Sequence, residues 1–180
     1  MCIRDRLKAI DNKHTIGIHP SYQAHLNPNK TAEEILTLEK IIDKKVEKSR
    51  QHFLRLSLPE SYQLLIRLGI TEDYTMGYPD AIGFRAGTSL PYNWFDLTNN
   101  QSTTLKIIPF SIMDVTLNQY LSLNIENSIR LIRQTIDQII HVDGHFVFIW
   151  HNSSLSDDDP WKGWRKVFES MLEYAGKYIK

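Results

Sequence analysis

Apolar and polar positions alternate between two periods along this chain, and the alternation predicts strands interleaved with helices. Residues 15–18 are short, β-branched and apolar, and they stop at His19-Pro20, which reads as a buried strand running into a loop. Thr31-Ala32-Glu33-Glu34 has capping-box form and predicts an amphipathic helix to about Lys48. Ile35, Leu38, Ile42 and Val46 would share its inward face, with Glu33, Lys40, Asp43 and Lys44 in solvent. Residues 51–56 are expected as a second strand, followed by a second capping box, Ser57-Leu58-Pro59-Glu60, and a helix that ends at Gly69.

A short strand is expected near residues 73–75, then a Gly- and Pro-rich stretch over 77–91 with GFRAGT at its centre. Residues 105–110 read as another apolar strand, with Asp114 just beyond it. Ile125, Ile129, Ile132, Ile136 and Ile139 or Ile140 recur at helical spacing, which predicts a helix over 125–140 that Gly144 terminates. Residues 145–150 form the last predicted strand, ending in His151, and Asp159-Pro160 opens a final helix to about Tyr178. Strand–helix alternation with short connections implies a parallel sheet under helices, and strands apolar on both faces fit burial from both sides. An open doubly wound sheet is the alternative to a barrel. It usually carries a glycine-rich phosphate loop after a strand, and none is present here.

Composition narrows the function classes. The 180 residues are 42% hydrophobic and 23% charged, enough for one domain with a substantial core. Lys+Arg and Asp+Glu balance at 21 each, which gives no reason to expect a nucleic-acid partner. No apolar run has the length of a membrane span, and the start of the chain lacks the apolar region of a secretory signal. Cys2 is the single cysteine, which excludes disulfide scaffolds and thiolate metal clusters. Low cysteine suits a cytoplasmic location, with association with the cell envelope as the alternative. Residues 1–6, MCIRDR, resemble a translated sequencing-adaptor remnant and are set apart from a domain over 7–180.

In α/β folds functional groups gather at the C-terminal ends of strands. Here those ends carry His19, Arg55, the Arg85 loop, Asp114 and His151. A neutral imidazole such as His19 is a good zinc ligand, or else a loop histidine satisfied by a hydrogen bond. His151, beside the apolar run FVFIW, suits a general acid because imidazole titrates near neutrality; the alternative is a bond to the following turn. Arg55 and Arg85 suit either oxyanion stabilisation or structural ion pairs. Tyr22 and Trp150 are candidates for stacking on sugar rings, although such aromatics more commonly pack a core. Trp161, Trp164 and Phe168 are expected as packing, and Asp157-Asp158-Asp159 as a solvated loop. No Gly-x-Ser-x-Gly elbow, P-loop, His-Glu-x-x-His or EF-hand loop is present.

The ordered segments GIHPSY, SRQHFLRLSLPESY, DYTMGY, GFRAGT, PFSIMD and FVFIWHNSSLS resemble polysaccharide deacetylases of the NodB homology type, carbohydrate esterase family four, in a branch common in Bacteroidetes. The resemblance runs from about residue 14 to the end. It implies a distorted (β/α) barrel and metal-dependent hydrolysis of the N-acetyl group of an amino sugar in a glycan. It also implies a divalent metal, usually zinc, held by one aspartate and two histidines, with a second aspartate as base and a C-terminal histidine as acid. Carried over by position, His19 matches the first metal histidine and His151 the general acid. Arg55 resembles the arginine of the Arg-x-Pro-Tyr motif, and Arg85 belongs to the GFRAG signature near the substrate. The second metal histidine should fall at residue 23, which is Gln23, with His25 two residues further as a possible substitute.

The aspartate pair of the family lies on the first barrel strand, and only Asp5 and Asp11 precede His19. The expectation is therefore a barrel that is incomplete at its N-terminus, from a parent that is a deacetylase, with this chain nearly inactive. A catalytically degenerate glycan-binding barrel domain is the alternative, motivated by Gln23. A shared scaffold carrying a different hydrolysis is the third possibility.

Overall fold

A computed structural model describes residues 2–156 and 158–178. The chain divides into two compact units. One holds the described residues up to Thr75 together with Tyr92–Ile108; the other holds Met76–Pro91 and the described residues from Pro109 onward.

The first unit is built on a four-stranded sheet. Its strands are β1 (Lys48–Ser49), β2 (Glu72–Asp73), β3 (Tyr92–Asp96) and β4 (Gln101–Ile107), in spatial order β1-β2-β4-β3. β1, β2 and β4 run parallel, with Ser49 opposite Asp73 and Asp73 opposite Ile107, while β3 folds back antiparallel on β4. Ile18 adds a single parallel bridge to Ser49, so the predicted strand over 15–18 contributes only its last residue to pairing. Three helices belong to this unit: α1 (Ile3–Asp11), α2 (Pro28–Ile42) and α3 (Glu60–Arg67). α1 buries none of its residues.

α2 starts three residues before the expected capping box. Asn27 is its N-cap, accepting from the Lys30 amide, and Pro28 supplies a preset φ in the first turn. Thr31 is inside the helix, and its hydroxyl donates to the Ala24 and Asn27 carbonyls. Ile35 and Ile42 are buried on the inward face as predicted, but the helix stops at Ile42 rather than near Lys48: Asp43 takes the left-handed C-cap at φ +57°, and Val46 is buried outside the helix, just before β1. α3 ends where expected. Gly69 at φ +82° occupies the left-handed position that a side chain would strain. The core of the unit gathers Tyr62, Leu65, Leu105 and Ile107, all at 2% exposure or less.

The second unit carries β5 (Ile112–Met113) paired in parallel with β6 (Phe148–Ile149), and two helices, α4 (Ile125–His141) and α5 (Arg165–Gly176). Asn124 caps α4 through the Asn127 amide, and Ile132, Ile136 and Ile139 are buried as their spacing predicts. Ile132 and Ile136 pack with Ile112, Leu117, Trp161, Trp164, Val167 and Met171. Trp161 and Trp164 meet edge to face at 5.5 Å, so their predicted packing role holds. α5 begins at Arg165, later than the Asp159-Pro160 start expected for it. Asp157 lies outside the described residues.

Gly77 lies against Phe110, and a Cβ built on it would come within 2.3 Å of that buried ring. Gly77→Ala is expected to cost about 1–2 kcal/mol by overpacking, read as a lower midpoint in denaturant unfolding with an unchanged slope.

Three expectations are corrected. Residues 51–56 are not a strand: a 3-10 turn over His52–Leu54 replaces it, with Phe53 and Leu54 both at φ +53°. The hairpin of β3 and β4 stands where only a loop and a later strand were expected. The described residues form an α/β fold with no closed barrel, because the four-stranded sheet ends in an antiparallel strand and β5–β6 pair separately. No helix among the described residues is long and apolar enough to cross a membrane.

Candidate functional site

In the first unit, the chain ends that leave the sheet bring His19 and His52 together. Two backbone bonds make the parallel bridge of Ile18 to Ser49: the Ile18 amide donates to the Lys48 carbonyl, and the Arg50 amide donates to the Ile18 carbonyl. His19 follows Ile18 directly, and its Nδ1 lies 2.8 Å from the Arg50 carbonyl. A carbonyl only accepts, so Nδ1 carries the proton and Nε2 is the lone-pair nitrogen of the neutral ring. Nε2 in turn lies 3.0 Å from His52 Nδ1.

A buried polar network fixes this backbone from below. Asp73 is fully buried and accepts from Ser49 Oγ at 2.6 Å, the Thr75 amide at 3.0 Å and Thr75 Oγ1 at 2.8 Å. Thr75 Oγ1 accepts from the Gln51 amide at 2.9 Å, one residue before His52. Burial pushes the Asp73 carboxyl above its ordinary range, against the bonds from Ser49 and Thr75. Arg50 donates through Nε to the Tyr74 carbonyl at 3.1 Å.

Tyr22 and Phe53 stand beside the histidines. Their rings meet edge to face at 5.8 Å, and Phe53 also meets His52 at 4.7 Å. Tyr22 is 52% exposed and Phe53 73%. The Arg55 guanidinium lies 4.4 Å over the Tyr22 ring, and its Nη1 donates to the Tyr22 carbonyl at 3.3 Å. His25, by contrast, sits 3.3 Å from Ser57 Oγ through Nε2, and burial together with the Arg55 charge lowers its pKa. Gln23 is exposed.

In the second unit, Asp114 follows β5 and His151 follows β6, so the parallel pairing of two short strands places them side by side. Asp114 is fully buried, and both its oxygens are satisfied. Oδ1 accepts from the Val115 amide at 2.8 Å and from His151 Nδ1 at 2.8 Å. Oδ2 accepts from the His151 amide at 2.7 Å and from the Ser154 hydroxyl. Burial alone would raise this carboxyl, but the bonds from His151 and Ser154 outweigh it and hold it below its ordinary range. Asp114 thereby fixes the orientation of the half-exposed His151 ring through Nδ1.

Trp150 packs on Phe168 at 5.2 Å and Trp164 at 6.5 Å. Its buried Nε1 has no hydrogen-bond partner among the described residues. Arg85 is exposed in the turn that the Gly87 amide closes on the Phe84 carbonyl, with no ion pair among the described residues.

The residues singled out from sequence thus fall into groups. Tyr22 and Arg55 stack on one another, His19 pairs with a histidine not singled out, and His25 turns to Ser57. His151 gains a buried aspartate and a serine. His52 was missed because residues 51–56 were read as strand. Asp114 was noted at a strand end without a partner, since 37 residues separate it from His151.

No protein-family model matches the sequence, and no curated protein is significantly similar to it. Solved structures do match. A Mycobacterium smegmatis protein assigned as a polysaccharide deacetylase superposes with a TM-score of 0.67 over 97% of this chain at 14% identity. A Pseudomonas aeruginosa protein with the same assignment superposes at 0.65 over 98% at 16% identity. The chain shares its α/β fold with these two proteins. This chain spans 60% and 58% of those two proteins. Among the described residues, no group of three or more His, Cys, Asp or Glu side chains is placed to hold a metal ion.

Proposed function

We propose that this chain is a glycan-binding domain that keeps the deacetylase fold without a complete catalytic set. The observation that carries this reading is the exposed aromatic pair Tyr22 and Phe53, with Phe53 held outward on left-handed backbone at φ +53° and ψ +24°. A bulky residue is strained there, and such strain is retained where the surroundings enforce it, commonly at functional sites. The flat faces of these rings suit the C–H faces of a sugar, and Arg55, braced on Tyr22, offers donors to hydroxyl or acetamido oxygens at the rim. The ligand class is an acetylated amino-sugar glycan.

Titration with an N-acetyl chito-oligosaccharide tests this. Saturable binding is expected, weakened roughly tenfold (about 1.4 kcal/mol) by Tyr22→Ala and by Phe53→Ala, with unfolding midpoints little changed. Equal affinity in wild type and both variants would rule out the aromatic pair as the binding surface.

One observation favours a second reading. Asp114 orients His151 as a general acid requires, which supports metal-dependent N-deacetylation by a parent protein. In that parent a divalent metal would polarise the acetyl carbonyl. His19 is the residue of this chain that would hold it, and Arg85 would lie near the substrate.

A further inference from the structure

We propose that one face of the four-stranded sheet, centred on Arg50, binds the carboxylates of an acidic glycan, so that the ligand is an amino-sugar polymer that also carries uronate. The inference rests on the glycan-binding reading and adds the ligand's charge to it.

A parallel sheet is ordinarily apolar on both faces, because helices cover both. Here the register sets Lys48 opposite Glu72, Glu72 opposite Lys106 and Lys106 opposite Asn93, so a polar row crosses all four strands on one face. These four residues are half-buried or exposed, whereas Ser49, Asp73 and Ile107, one position on, are buried. Arg50 and Tyr74 extend the same face past the strand ends. The Lys48 ammonium and the Arg50 guanidinium each lie 5.9 Å from the centroid of the Tyr74 ring.

The charges on this face do not cancel. Glu72 is the one carboxylate of the row, and it accepts from Lys48 Nζ at 2.9 Å and from the Tyr74 hydroxyl at 2.7 Å. Lys48 is thereby neutralised. Arg50 and Lys106 are left over, and neither forms an ion pair among the described residues. Arg50 Nε donates to the Tyr74 carbonyl at 3.1 Å, which braces the guanidinium, while Nη1 and Nη2 have no acceptor among the described residues and are not closed off from water. Burial lowers the Arg50 pKa, and the nearby Asp73 offsets this only in part. A braced, half-buried guanidinium with a free fork suits a planar carboxylate, which accepts two parallel N–H bonds. Lys106 stands two strand spacings, about 10 Å, from Lys48, so a second carboxylate of the same polymer can meet a second cation. Arg50 precedes Phe53 by three residues, at most about 11 Å of extended chain, which keeps the fork within reach of a glycan stacked on Tyr22 and Phe53.

The test uses the full 180-residue chain and one oligosaccharide of alternating N-acetylglucosamine and glucuronate in two forms, the free acid and its neutral methyl ester. Affinities are measured by calorimetry at low salt. The wild type should bind the acid at least about tenfold more tightly than the ester. Arg50→Gln should erase most of that preference, and Lys106→Gln should reduce it about two- to threefold. Both variants should bind the ester as the wild type does, which also shows that they fold. Lys106 is exposed, so its variant carries the test even where Arg50→Gln disturbs the sheet. Equal affinity of the wild type for acid and ester would overturn this inference and leave the glycan reading standing. Binding of neither form would overturn both. A preference for the acid that is undiminished in both variants would overturn its assignment to this face.

Discussion

An Asp114→Ala variant is expected to lose about 3 kcal/mol of stability, because the change removes the buried acceptor of four hydrogen bonds. The Val115 and His151 amides, His151 Nδ1 and the Ser154 hydroxyl all point at this carboxylate, and both Asp114 and Ser154 are fully buried. For a chain of this size the loss corresponds to a fall of about 6–12 °C in the unfolding midpoint. The pH dependence has a definite sign. The folded carboxyl lies below its ordinary value, so its contribution is complete above that ordinary value and is lost as pH falls through the folded one. The gap between wild type and variant is therefore widest at neutral pH and closes in acid. Thermal unfolding of both proteins across that range checks it; a gap that widened in acid would show that Asp114 is not held ionised.

Asp73→Ala is expected to cost a similar amount, about 3 kcal/mol, with the opposite pH dependence. The loss leaves the Ser49 hydroxyl and the Thr75 amide and hydroxyl without their acceptor in a region closed to water. The folded Asp73 carboxyl lies above its ordinary value, because burial outweighs the bonds it accepts. Folding is then penalised as pH rises from the ordinary value through the raised one, since the unfolded chain ionises first. The advantage of wild type over the variant should be greatest in acid and shrink toward neutrality. Denaturant unfolding of the pair at both pH values measures this, and parallel curves would contradict it. Because Thr75 links Asp73 to the Gln51 amide, the variant should also loosen the turn that carries His52.

The helices were largely legible because their signals are local. The isoleucine spacing of α4 and the glycine after α3 depend on residues within a few positions of one another. The sheet was less so. β3 reads as the continuation of a Gly- and Pro-rich stretch, and its register is set by β4 across a turn in which Asn100 takes φ +50°. Nothing in the apolar pattern alone specifies that residue's conformation.

The candidate site shows the same division. His19 and His151 stood out because each ends an apolar run. His52 did not, since the left-handed backbone at Phe53 and Leu54, which turns residues 52–54 out of a strand, leaves no mark in the apolar pattern. The pairing of Asp114 with His151 depends on two short strands lying in parallel, a relation that no local spacing encodes. The expected barrel came from the family resemblance, and the strand pairing of the described residues bears out only the α/β class.

The most direct test of the central claim follows binding and chemistry in one sample. The chain is incubated with an N-acetyl chito-oligosaccharide and excess zinc, and glycan binding is measured alongside release of acetate. The account predicts saturable binding with no acetate above background. Acetate release that disappears in His151→Ala would contradict it, and would show that this chain holds a working deacetylase site.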